Sequence, residues 1–209
     1  MIELFYWPTP NGRKISIMLE ESKIKYKITL VNINKGEQFK KNFLKLNFYN
    51  KIPVIIDHSN NKKIIESGAI LIYLAKKSGK FFNKRDQIKI LEWLNFQVGN
   101  VGPVLGQHHH FHHFNPGKSK YAESRFFDLS VKIYKVLNNH LSRNKFLAGS
   151  KYSIADIATF PWIARHNWHD INIKKHKYLC NWYNRISKRP AVIKGYDCLQ
   201  EGIQIPKLG

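Results

Sequence analysis

Three stretches of the chain carry side chains whose types and spacing could do chemistry. The first is Gln107-His108-His109-His110-Phe111-His112-His113, where His108/His112 and His109/His113 stand four residues apart. On a helix that spacing puts two imidazoles on one face, which is a beginning of a metal site. No cysteine or carboxylate cluster accompanies the run, and Gly106 and Pro116 bracket it, so a histidine-rich wall competes with the metal reading and no metal is expected. The second is the pair Cys180 and Cys198, which form no C-x-x-C motif and have no neighbours that would activate a thiol. The third runs from Asn50 to Ala69. Pro53 heads one apolar run, as a residue that cannot donate to a sheet ladder should, and a cis peptide is possible there. Glu66-Ser67-Gly68-Ala69 then opens a helix, where a hydroxyl and free backbone N–H groups suit an anion. That arrangement predicts a small acidic ligand lying along a sheet edge and ending on a helix N-terminus.

The elements that must position these groups follow from periodicity. Ile2–Tyr6 reads as a buried first strand and Trp7–Gly12 as a turn-rich loop. Ile15, Met18 and Leu19 mark a helix, and Tyr26–Asn32 a second strand. A short connector helix is expected through Phe39, Phe43 and Leu44. Two strands flank the turn Asp57–Asn61, and a helix through Ile70, Tyr73 and Leu74 follows. Beyond a linker at 76–85 nothing reads as a strand. Ile88, Leu91, Leu94 and Val98 define one helical face, broken by Gly99, Gly102-Pro103 and Gly106. Ala122, Phe126, Leu129, Ile133, Val136 and Leu141 define a second helix. Ser153 and Asp156 form a capping box for a third. A fourth spans about Tyr178–Arg189, and the tail from Gly202 is irregular. The fold class is therefore α/β followed by all-α: a mixed sheet with helices over residues 1–79, then a helical bundle over residues 86–209.

Composition narrows the partners. The chain has 209 residues and no apolar run long enough for a transmembrane helix, and its first residues lack the pattern of a signal peptide. With the sparse cysteines this predicts a cytoplasmic protein without a membrane partner. Lys and Arg number 35 against 14 Asp and Glu, for a net charge of +21. Lysine supplies 28 of those 35, scattered singly or in pairs rather than in a block, so a nucleic-acid partner is not expected. The charge would still hasten encounter with a small anion.

Ile52-Pro53-Val54, Glu66-Ser67-Gly68-Ala69 and the Ser153–Asp156 box, in this order along an α/β half and a helical half, resemble the cytosolic glutathione transferases. Pro8-Thr9-Pro10-Asn11-Gly12, Gly36-Glu37-Gln38-Phe39, Asn50-Lys51-Ile52-Pro53 and the segment Gly102–Phe111 are similar to the nu class, related to the Ure2-like proteins. The resemblance implies a thioredoxin-like first domain, and a homodimer that binds glutathione as co-substrate and reduces small-molecule or protein disulfides. It assigns Thr9 and Asn11 as donors to the glutathione sulfur. Asn11, Gln38, Lys51, Ile52, Glu66 and Ser67 become binding residues, and Pro53, Ser153 and Asp156 structural ones. Lys132 stands where the class often has arginine; it keeps the charge but loses the bidentate fork. By residue type alone, Thr9 and Asn11 read equally as turn and cap residues. Tyr6 is expected to pack rather than to react. Conjugation of glutathione to electrophiles, and a non-catalytic binding or regulatory role, remain as alternatives.

Overall fold

The computed structural model describes residues 1–208. Strand β1 (Ile2–Tyr6) leads through the Trp7–Thr9 turn into α1 (Pro10–Ser22), then β2 (Tyr26–Leu30). Two 3-10 turns and a one-turn helix α2 (Lys41–Leu44) connect to β3 (Val54–Asp57) and β4 (Lys62–Ile64), and α3 (Ser67–Ser78) follows. The sheet order is β2-β1-β3-β4, with β1 parallel to β2 and the other pairs antiparallel. β1 alternates buried and half-buried residues, and Ile2, Leu4 and Tyr6 point into the main core while Phe5 packs on the other face. Thr9 caps α1 by accepting from Gly12 N–H at 3.1 Å, and Pro10 fills the first helical position, where a missing N–H is harmless.

The connector expected as one helix is instead broken. Phe39 closes a 3-10 turn over Glu37–Phe39 while Phe43 and Leu44 lie in α2, because Lys40 between them is extended at φ −64°, ψ 140°.

The rest is helical: α4 (Gln87–Phe96), α5 (Gly102–His108), α6 (Lys120–Leu141), α7 (Ile154–Ile163), α8 (Lys177–Ser187) and α9 (Pro190–Tyr196). Here the predicted first face needs correction. Gly99, Gly102 and Gly106 do not break the helix; π turns at 97–101 and 109–114 carry it through to residue 114. The buried face is Ile90, Leu94, Gln97, Val101, Leu105 and His108, and Ile88 is 70% and Val98 37% exposed. In α6 the inner face is Ser130, Ile133, Tyr134, Leu137 and Leu141, while Val136 faces outward. The capping box forms as read. Ser153 Oγ accepts from Ala155 N–H, and Asp156 accepts from Ser153 N–H at 3.0 Å. Among the described residues no helix is long and apolar enough to cross a membrane.

Helix α1 lies between the sheet half and the helical half, packed against α3, α7 and α9. Gly195 of α9 lets that helix touch the α1 backbone: a Cβ there would stand 2.5 Å from Ile17 Cα. The burial of every face of α1 has a consequence for the polar residues it carries.

Candidate functional site

Strand register brings the predicted residues to one end of the sheet. Phe5 pairs with Val54, so Ile52 and Pro53 lie beside the end of β1 where the Trp7–Thr9 turn begins. Ile55 pairs with Ile64, which brings Ile65, Glu66 and Ser67 out past the same end. The Ile52–Pro53 peptide is cis, and Ile52 is half-buried. The N-termini of α1 and α3 thus open on the same edge, with the partial positive charge and free N–H groups that helix starts carry.

The loop residues are held by their acceptors. Thr9 Oγ1 is already used as acceptor in the α1 cap, which leaves its O–H to donate elsewhere. Asn11 Oδ1 accepts from Trp162 Nε1 at 3.3 Å, which leaves its N–H₂ unengaged. Arg165, just past α7, donates to Pro8 O at 3.2 Å and lies over the Trp168 ring. Two groups of the helical half therefore clamp the loop of the sheet half. Gly102 and Gly106 line the Trp162 ring, where a Cβ on either would stand 3.4 Å away, in ordinary contact. Gly12 is required for a closer reason, since a Cβ there would meet Trp7 O at 2.2 Å.

On the α3 side, Glu66 is exposed and adopts φ +66°, an uncommon conformation for a residue with a Cβ. Ser67 begins α3 at its first helical position rather than as the cap, and its Oγ accepts from Lys14 Nζ at 3.2 Å. Lys14 is 2% exposed, and burial holds its pKa down at about 7, with the charge of Glu66 opposing the shift.

The remaining predicted residues are less tightly drawn in. Gln38 Nε2 donates to Ile33 O at 3.3 Å, while its Oε1 is buried with no partner. Lys51 is exposed, with its ammonium 5.7 Å from the Tyr49 ring centroid, and Asn47 Nδ2 donates to its backbone carbonyl. Lys132 is exposed on α6, which packs chiefly against α5 and α8, and among the described residues it is hydrogen-bonded to none of the others predicted for the site.

The other candidate groups resolve into packing. Burial raises the pKa of both Cys180 and Cys198, the reverse of an activated thiol. Tyr6 is buried and its phenol is pushed well above its usual range by burial. The histidine run is helical. His108 stacks on His112 with ring centroids 4.9 Å apart, and His109 stacks on His169 at 4.8 Å. Burial lowers the pKa of His108 and takes that of His109 down to about 3, so these rings are neutral. Among the described residues no group of three or more His, Cys, Asp or Glu side chains is placed to hold a metal ion.

Sequence reading missed Trp162, Arg165 and Lys14. A basic residue directly before the apolar face begun by Ile15 was the only sign of Lys14; the two α7 contacts left no local sign.

Comparison with known proteins identifies the family. The model of the glutathione S-transferase N-terminal domain matches residues 1–76, and that of the C-terminal domain matches residues 103–190. The chain is 43% identical over 198 residues to the disulfide-bond oxidoreductase YfcG of Escherichia coli (strain K12), covering 91% of this chain and 92% of that protein. It is 30% identical over 227 residues to the protein URE2 of Kluyveromyces marxianus, covering 88% of this chain and 56% of the relative. A glutathione transferase from Burkholderia graminis, solved with two glutathione molecules bound per subunit, superposes with a TM-score of 0.90. It shares 36% identity and covers 96% of this chain and 89% of that one. One from Pseudomonas putida, with one glutathione disulfide bound per subunit, gives a TM-score of 0.87 and 35% identity, over 94% of this chain and 90% of that one. With both domain matches in order along a sheet-then-helix chain, the protein belongs to the glutathione S-transferase family.

Proposed function

We propose that the protein is a glutathione-dependent disulfide-bond reductase in which the thiolate comes from the bound peptide. One observation carries the reading. The acceptor atoms of Thr9 and Asn11 are occupied by Gly12 N–H and Trp162 Nε1, so the O–H and N–H₂ that remain are donors at the α1 N-terminus. Two such donors plus the helix dipole each favour a thiolate by about 1 kcal/mol. Together they would lower a thiol of ordinary pKa, about 8.5, by one or two units. The γ-glutamyl end of glutathione fits Ser67, with its ammonium on Glu66. The cysteinyl backbone fits Ile52, and Gln38 and Lys51 fit the glycine end. Lys132 is the weakest of these assignments, because its α6 face carries no contact to the rest.

In the reaction the glutathione thiolate attacks one sulfur of the substrate disulfide. One mixed disulfide forms and one substrate thiolate leaves, taking a proton from solvent. A second glutathione thiolate then attacks the mixed disulfide, releasing glutathione disulfide and the second substrate thiol. The protein's own cysteines take no part. Cys180 and Cys198, both half-buried and with thiols whose pKa desolvation raises, support this.

Residues 1–79 serve in this reading as the glutathione-binding domain and residues 86–209 as the helical domain, in a cytoplasmic homodimer. Phe48 and Tyr49, exposed by 82% and 64%, are apolar rings of the kind enriched at interfaces.

The test is glutathione-dependent reduction of 2-hydroxyethyl disulfide. Replacing both cysteines by serine should leave the rate within twofold, whereas Asn11→Ala should lower kcat by about tenfold, as loss of one charge-assisted bond predicts. Conjugation of an aryl halide that outruns disulfide reduction would instead favour a classical transferase. A folded protein that binds nucleic acid and no glutathione would favour a binding module.

A further inference from the structure

Lys14 is a buried basic group beside the site that the reaction above leaves without a task. Among the described residues its Nζ has one partner, the neutral Ser67 Oγ, although an ammonium offers three donors. A buried cation with one neutral partner is electrostatically incomplete. The hydroxyl it touches stands on the first turn of α3, where free N–H groups face the same way. We infer that Lys14 is a specificity-determining residue: from behind Ser67 it supplies the counter-charge for the α-carboxylate of the γ-glutamyl ligand, and that carboxylate draws a proton onto it. This deepens the proposed function and rests on its placing the γ-glutamyl end at Ser67.

The surroundings isolate Lys14 from other charges. On α1 itself, Arg13 donates to Tyr196 O and lies over that ring, and Glu21 is paired with Arg189. Glu3 of β1 pairs with Lys27 and His58, and Lys77 of α3 with Asp57. Asp156 of α7 is enclosed by Ser153, Leu147 and Trp182, and Lys194 of α9 holds Glu20. Among the described residues the charge acting on Lys14 is that of Glu66. Burial holds the Lys14 pKa down to about 7. A carboxylate at Ser67 favours the charged form, so its pKa rises on binding. Binding therefore takes up protons above about pH 7, and affinity weakens as pH rises, by at most about tenfold per unit for one proton. Below about pH 6 Lys14 is charged in both states and its dependence vanishes.

The experiment uses the full chain, S-methylglutathione, and the matching S-methylated 4-aminobutyryl-cysteinylglycine, which lacks only the α-carboxylate. Isothermal calorimetry between about pH 6 and about pH 8.5, in buffers of different ionisation heat, counts the protons exchanged. Wild type should take up about half a proton with the first peptide near pH 7.5 and distinctly less with the second. Lys14→Met should bind the first about 10- to 100-fold more weakly and the second within about twofold, with the extra uptake gone. Equal proton uptake for both peptides in wild type would overturn the inference whatever the variant does. A folded Lys14→Met that keeps the wild-type preference for the carboxylate would overturn it as well. Because the sulfur is methylated, thiolate activation is not in play. Failure of wild type to bind either peptide would sink the proposed site itself, whereas a wild-type preference for the carboxylate that survives in Lys14→Met would sink only the role of Lys14.

Discussion

At the scale of single residues, the site turns on which atom of an amide is already engaged. Trp162 Nε1 donates to Asn11 Oδ1 and so leaves the N–H₂ free to donate, in the proposed reading to the glutathione sulfur. Trp162→Phe keeps the ring against Gly102 and Gly106 but frees Asn11 to rotate. A neutral hydrogen bond of about 1 kcal/mol predicts a three- to tenfold loss of kcat with little change in KM for glutathione. The thiol of bound glutathione, followed by its ultraviolet thiolate absorbance, should titrate about half a unit to one unit higher. In Asn11→Ala the same tryptophan change should add little, because both substitutions remove one interaction. Additive losses would mean that Trp162 acts on something other than Asn11. Thr9 and Asn11 were legible as turn and cap residues because that chemistry is local: a hydroxyl, a proline and an amide within three residues of a helix start. Their partners were not, because the Asn11–Trp162 contact spans 151 residues. Nor was Lys14, whose burial follows only once α3, α7 and α9 have all closed over α1.

At the scale of elements, the capping box and one glycine contact fix how the two halves meet. Asp156 accepts from Ser153 N–H, Leu147 N–H and Trp182 Nε1, yet burial still lifts its pKa to about 6, against an ordinary 3.8. The native state thus binds that proton more tightly than the unfolded chain does. Stability from Asp156 is fully present below about pH 4 and is lost as pH rises to about 6, by about 2–3 kcal/mol. Asp156→Asn removes the titration and turns an N–H₂ toward Ser153 N–H, so it should be less stable at every pH. The gap in Tm between wild type and variant should narrow from pH 4 to pH 6 and then level off; a gap independent of pH would refute the assignment. Gly195→Ala probes the second contact. Ile17 Cα is backbone and cannot swing aside from a Cβ at 2.5 Å, and Ser16 Oγ already holds Gly195 O at 2.6 Å. A loss of about 1–3 kcal/mol is expected, read as a lower midpoint in urea with an unchanged slope. The capping box was readable from Ser153 and Asp156 alone. The continuation past α4 was not, since the π turn that begins at Gln97 changes the period on which a reading beyond Phe96 depends.

At the scale of the whole molecule, the net charge of +21 is a field rather than a site. Most acidic side chains of the structured core are spoken for by ion pairs or caps, and the surplus lysines lie scattered over the surface. Such a surface raises the local concentration of small anions without choosing among them. Its range is the Debye length, about 10 Å at 0.1 M salt, so the effect must fade as salt is added. Glutathione disulfide carries net negative charge at neutral pH, and 2-hydroxyethyl disulfide carries none. At saturating glutathione, kcat/KM for glutathione disulfide analogues of the same charge should fall several-fold between about 0.02 M and about 0.3 M salt, whereas the neutral disulfide should change less than about twofold. Equal salt profiles for the two substrates would show that the lysine surplus does not act at the substrate's approach to the α1–α3 edge. A charge effect confined to glutathione binding, with none on the disulfide, would place the field's influence at Ser67 and Lys14 instead. Substrate charge and Lys14 are separable, because the surface field is screened by salt while a fully buried ammonium is screened far less.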